Sequence, residues 1–74
     1  MDFYTDLANA IIIQAVKDYR KALKTLKRYP RNEPAKAVVE EVEEFLRSEW
    51  YRTLTSVDAD MLMRKIRREI NDCA

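Results

Sequence analysis

Apolar residues recur at steps of three and four positions along the first third of the chain. The stripe consists of Leu7, Ile11 or Ile12, Ala15, Val16, Tyr19, Leu23 and Leu26. This spacing places them on one side of a helix, so it predicts an amphipathic helix over residues 5–28. Tyr29 and Pro30 end the helix, because the residue before a proline disfavours helical backbone geometry.

A second helix is predicted over residues 33–47. Asn32 is suited to its N-cap, and Glu33 and Pro34 are suited to its first turn. Its apolar stripe consists of Ala35, Val38, Val42, Phe45 and Leu46. Glutamates occupy the remaining faces, so this helix also has one buried and one solvated side.

Ser48 has two possible places in the secondary structure. It either ends the second helix and caps a short one over residues 49–54, or it lies inside a helix that continues to Leu54. We prefer the break. A turn with Ser56 as cap then leads to a last helix over residues 57–71. The apolar side of that helix consists of Met61 or Leu62, Ile66 and Ile70.

Composition supports an all-α fold in a single domain spanning residues 1–74. The chain has no glycine and two prolines, and 36% of its residues are charged. Tight hairpin turns favour glycine, whereas lysine, arginine and glutamate favour helix. Short links between helices favour antiparallel neighbours. We therefore expect a compact bundle of three main helices and one short helix.

Two features indicate a protein-binding surface. Ile11 and Ile13 lie about 200° apart on a helix, so one core cannot cover both. Trp50 and Tyr51 are adjacent and must point in different directions; one is expected to fill the core and the other to be partly exposed. These four residues are the predicted contacts, either with a protein partner or with further copies in a homo-oligomer.

Residue types exclude most catalytic chemistry. There is no histidine for a nucleophile–base pair or a metal, and no glycine for a phosphate-binding loop. The lone Cys73 makes neither a disulfide within the chain nor a metal site. Glu40 and Glu44 are one turn apart, but a solvated acidic face explains them better than an acid–base pair. We expect no enzyme, no cofactor, no metal and no small-molecule substrate.

Charges are segregated along the chain although the net charge is only +1. Residues 17–31 and the last helix are basic, and residues 32–49 are acidic. In one interpretation, the acidic second helix packs between basic neighbours and favours that helix order. In the alternative, the basic faces point outward and bind nucleic acid. We favour the first, because the acidic helix would repel phosphate.

The nucleic-acid alternative names a definite set of residues. They are Arg20, Lys24, Lys27, Arg28, Arg64, Arg67 and Arg68. The C-terminal half has the order of parts of a degenerate helix-turn-helix. Asp58 and Asp60 argue against it. They lie at the N-terminal end of the last helix, the end that would enter the major groove, where their charges would face phosphates.

No apolar run approaches the length of a membrane span, and the N-terminus lacks the pattern of a secretory signal. The sequence therefore predicts a cytoplasmic protein without a membrane partner.

Three stretches carry a family resemblance: residues 7–20 (LANAIIIQAVKDYR), residues 41–51 (EVEEFLRSEWY) and residues 54–58 (LTSVD). They resemble short helical proteins encoded on bacterial prophages and integrative mobile elements. The resemblance implies a bacterial cytosolic setting and an accessory role for a phage or mobile element. It implies no site residues, because the family has no assigned activity.

Overall fold

The first long helix is the element against which all the others pack. A computed structural model describes residues 3–72 of the chain, and their side chains from Leu7 onward. It contains α1 (Phe3–Arg28), α2 (Glu33–Leu46), α3 (Glu49–Leu54) and α4 (Ala59–Asp72). These residues include no strand, which confirms the all-helical prediction. Cys73 lies outside the described residues.

Side-chain caps separate α1, α2 and α3 close to the predicted positions. The side chain of Asn32 accepts a hydrogen bond from the Ala35 amide at 2.9 Å and so starts α2. Ser48 Oγ donates to the Phe45 carbonyl at 2.6 Å and accepts from the Tyr51 amide at 3.3 Å. The predicted break at Ser48 is confirmed, since this one side chain closes α2 and caps α3.

The start of α4 differs from the prediction. The helix begins at Ala59 rather than near Val57, and the Asp58 carboxylate, not Ser56, accepts from the amide of Met61 at 3.1 Å. Thr55 before this turn is fully extended, with φ −156° and ψ 156°. The Asp58 carboxylate also interacts favourably with the positive end of the helix.

The core lies where α1 meets α2, α3 and α4. Its largest fully buried side chains are Tyr19, Leu46, Tyr51 and Ile66, one from each helix. The interpretation that acidic α2 packs between basic neighbours holds only in part. The central helix is α1, which packs against each of the other three, and α2 reaches basic α4 through the ion pair of Glu43 with Arg67. The 26 residues of α1 extend about 39 Å and outreach the 14 residues of α2.

A polar network joins α1, α2 and α4 at the edge of this core. The hydroxyl of Tyr19 donates to Glu43 Oε2 at 2.7 Å and accepts from Arg67 Nε at 2.9 Å. Arg67 also forms an ion pair with Glu43. Burial raises the pKa of Tyr19 from 10.0 to about 12, and the bond to Glu43 adds to the rise. Burial acts to raise the pKa of Glu43, but hydrogen bonds from Tyr19 and Arg67 outweigh it and lower that pKa below 4.5.

Candidate protein-binding groove

An apolar groove opens along the seam between α1 and α2. Near the start of α3 it has a volume of about 390 Å³. Its lining comprises Ile11, Gln14, Ala15 and Asp18 from α1, Glu41, Val42 and Phe45 from α2, and Trp50 from α3. The indole of Trp50 is 59% exposed, so a large apolar side chain remains available at the groove wall.

The short helix α3 holds Trp50 in place. Phe45 packs edge-on against both aromatic neighbours, with ring centroids 5.9 Å from Trp50 and 6.0 Å from Tyr51. Tyr51 is 1% exposed and anchors α3 in the core. Because Ser48 turns the chain between α2 and α3, Trp50 lies beside the groove while Tyr51 points inward.

The groove continues toward the other end of the helix pair. A second part of about 490 Å³ shares Asp18, Glu41 and Val42 with the first. It reaches Thr25 on α1 and Asn32 before α2. We call the two parts together the seam groove. From Ile11 to Thr25 it follows α1 for about 21 Å, which is the length of a four-turn helix.

The seam groove and α4 lie on different sides of the α1–α2 pair. On α1, Asp18 lines the groove, whereas Arg20, about 200° further round the helix, pairs with Glu69 of α4. On α2, Glu41 lines the groove, whereas Glu43, again two residues on, pairs with Arg67 of α4. Within residues 3–72, α4 therefore covers one side of the pair and leaves the seam on the other side open.

The four predicted protein-binding residues fall in three different places. Ile11 and Trp50 meet in the seam groove. Ile13 is 53% exposed and lies about 200° from Ile11 on α1, outside the groove lining. Tyr51 is buried in the core, so its assignment to a binding surface is wrong. The sequence expectation that the aromatic pair divides between core and surface agrees with this arrangement.

Three of the seven basic residues named for nucleic acid make contacts within the fold. Arg20 lies 3.1 Å from the Glu69 carboxylate. Lys27 Nζ donates to the carbonyl of Ile70 at 2.8 Å and to that of Asn71 at 3.2 Å, at the C-terminal end of α4. Arg67 belongs to the polar network described above. These cations stabilise the docking of α4 on α1 and α2, which reduces the charge available to phosphate.

The other four basic residues are exposed. Arg28 lies over the ring of Tyr29, with its guanidinium carbon 5.7 Å from the ring centroid. Lys24 and Arg28 lie on α1, and Arg64 and Arg68 lie on α4. The two helices thus each keep two of the predicted cations in solvent.

Sequence reasoning missed most of the groove lining. The periodicity places Phe45 and Val42 in the apolar stripe of α2, and Asp18 and Glu41 carry no signal beyond their charge. The usable sequence signal is that Ile11 and Ala15 are one helical turn apart, which places both on one face of α1. The polar network was also missed, because Tyr19, Glu43 and Arg67 are far apart in sequence.

No three His, Cys, Asp or Glu side chains in the described part of the chain lie close enough together to hold a metal ion. No helix within residues 3–72 combines the length and the apolarity that a bilayer crossing demands.

Comparisons with family models, with curated proteins and with solved structures found no match to this chain. The resemblance to short proteins of prophages and mobile elements therefore stays a prediction made from the residues alone.

Proposed function

We propose that this protein is an interaction module that binds a helix of another protein in the seam groove. The observation that carries the proposal is the open apolar seam with Ile11 and Trp50 on its walls. Two antiparallel helices with an uncovered seam present the surface that a further amphipathic helix covers in a helical bundle. Tryptophan is also one of the residue types enriched among the side chains that dominate binding at protein interfaces.

The dimensions of the groove support a helix as the ligand. Its length of about 21 Å along α1 matches about 14 helical residues. Its lining includes the small side chains of Ala15, Ala22 and Ala35. Small side chains along a seam allow the backbone of a third helix to approach closely, so that anchors from that helix can fill the space between Ile11 and Trp50.

The test uses one substitution on two faces of the same helix. Immobilised wild-type protein, Ile11→Asp and Ile13→Asp are each used to capture proteins from bacterial lysate, followed by mass spectrometry. We expect the same proteins to bind wild type and Ile13→Asp, because Ile13 lies outside the groove. We expect Ile11→Asp to lose them, because a carboxylate in an apolar contact is costly to desolvate.

Trp50→Ala serves as a second groove variant that spares the core, since the indole is 59% exposed. Helical circular dichroism establishes that each variant is folded. Proteins that remain bound to both groove variants, or that are lost with Ile13→Asp instead, would place the interface elsewhere and refute the proposal.

A further inference from the structure

The part of the seam groove that contains the aromatic side chains also carries negative charge. Asp18 and Glu41 line both parts of the groove, on opposite walls. Neither forms an ion pair with any residue between 3 and 72. Among the described residues, the Asp18 carboxylate accepts a hydrogen bond from the neutral Gln14 Nε2 at 3.0 Å, and this bond does not compensate its charge.

From this arrangement, and on the basis of the function proposed above, we infer that the partner helix is basic: it places lysine or arginine on both flanks of its apolar face. A helix lying in the seam has its flanking positions beside the two walls, as the e and g positions of a coiled coil do. Cations at these positions would meet Asp18 on one side and Glu41 on the other.

The same charges argue against a second copy of this chain as the occupant. A two-fold symmetric dimer places one patch against itself. Asp18 and Glu41 of one copy would then approach Asp18 and Glu41 of the other, and like charges at an interface oppose association. Lys21, one helical turn beyond Asp18, lines only the second part of the groove, and among the described residues it forms an ion pair with neither acid.

The experiment selects the partner chemistry directly. A displayed library of 18-residue helices carries leucine at positions i, i+3, i+4 and i+7 and random residues elsewhere. It is selected on the full chain and counter-selected on Ile11→Asp. We expect the recovered flanks to be enriched in lysine and arginine over aspartate and glutamate, and binding to weaken as salt is raised.

Affinities of the recovered peptides are read from the emission of Trp50, the only tryptophan in the chain. Asp18→Asn and Glu41→Gln are each expected to weaken binding roughly two- to five-fold, the range for a partly exposed ion pair. Glu44→Gln removes the same charge from a residue of α2 outside the groove lining, and should leave the affinity unchanged.

The outcomes separate the two proposals. Groove-dependent peptides with neutral or acidic flanks would overturn the inference about charge and leave the interaction module standing. A selection that yields no peptide sensitive to Ile11→Asp and Trp50→Ala would overturn both. Light scattering after size exclusion tests the remaining occupant: a dimer that Trp50→Ala converts to monomer would show that a second copy fills the seam.

Discussion

Two buried tyrosines make the same substitution informative in opposite directions. Tyr19 is fully buried, and its hydroxyl both donates to Glu43 and accepts from Arg67. Tyr51 is 1% exposed, but its hydroxyl finds no hydrogen-bond partner among the described residues. Tyr19→Phe therefore removes two satisfied bonds, whereas Tyr51→Phe removes a buried polar group that has none.

The magnitudes follow from the partners. Hydrogen bonds to charged groups contribute about 1.5–3 kcal/mol each. Because Glu43 and Arg67 still pair with each other when the hydroxyl is removed, we expect Tyr19→Phe to lower the free energy of unfolding at pH 7 by less than the sum of two bonds, about 2 kcal/mol. In a domain of this size that corresponds to a fall in Tm of roughly 10 °C. Tyr51→Phe is expected to be neutral or stabilising, because an unpartnered buried hydroxyl is a cost to the folded state.

Alkaline pH gives a second, independent signature of Tyr19. Its pKa is raised from 10.0 to about 12 in the folded protein, so the unfolded chain loses this proton first as pH increases. A difference of that size corresponds to about 3 kcal/mol of stability, which is present below pH 10 and is lost as pH rises toward 12. Tyr19→Phe lacks this loss. Its free energy of unfolding, lower than that of wild type at pH 7, should therefore rise relative to wild type by about 3 kcal/mol across the alkaline range.

The assay is urea unfolding followed by circular dichroism at pH 7 and at steps from pH 9 to 12. Tyr29→Phe is the matched control, because Tyr29 is 58% exposed and lies outside the network. It should follow the wild-type curve at every pH. Equal effects of Tyr19→Phe and Tyr51→Phe at pH 7 would contradict the assigned hydrogen bonds. A difference between wild type and Tyr19→Phe that stays constant across the alkaline range would contradict the raised pKa of Tyr19.

Three further predictions test the network, the caps and the charge. The pKa of Glu43 is lowered in the folded state, so ionised Glu43 stabilises the fold above pH 4.5, and this stabilisation is lost as pH falls through the lowered pKa. In urea titrations, Glu43→Gln should therefore lose less stability than wild type when the pH is lowered. Ser48→Ala should lower Tm by about 5 °C through the loss of a cap, whereas Ser56→Ala, at the position wrongly predicted to cap α4, should change Tm by no more than about 2 °C. A labelled DNA duplex in low-salt buffer should show no electrophoretic shift, and a shift that disappears steeply with added salt would instead favour nucleic-acid binding.

The helices could be predicted because their signals are local. The periodic apolar stripe, the Tyr29–Pro30 stop and the Asn32 and Ser48 caps each involve residues within one or two turns of each other. The error at α4 is of the same local kind. Both Ser56 and Asp58 can cap a helix, and the sequence does not indicate at which of the two residues the helical backbone begins.

The candidate groove could be predicted only in part because it depends on which helix is central. Ile11 and Trp50 stand out as apolar residues without an obvious core position, and the structure brings them together. The acids that give the groove its charge could not be found in the same way. Asp18 and Glu41 differ from neighbouring charged residues only in the side of the helix that they occupy. Whether that side is covered or open depends on where α4 packs, which the sequence does not indicate.

The helix caps have a consequence for how this chain can change. No residue in the described range has a positive φ angle, so none of its joints needs the conformational freedom that only glycine offers. What the joints do require is a side-chain oxygen at Asn32, Ser48 and Asp58, which caps the helix that follows. The loops between the helices could therefore change in sequence over time, as long as these three caps continue to fix where α2, α3 and α4 begin.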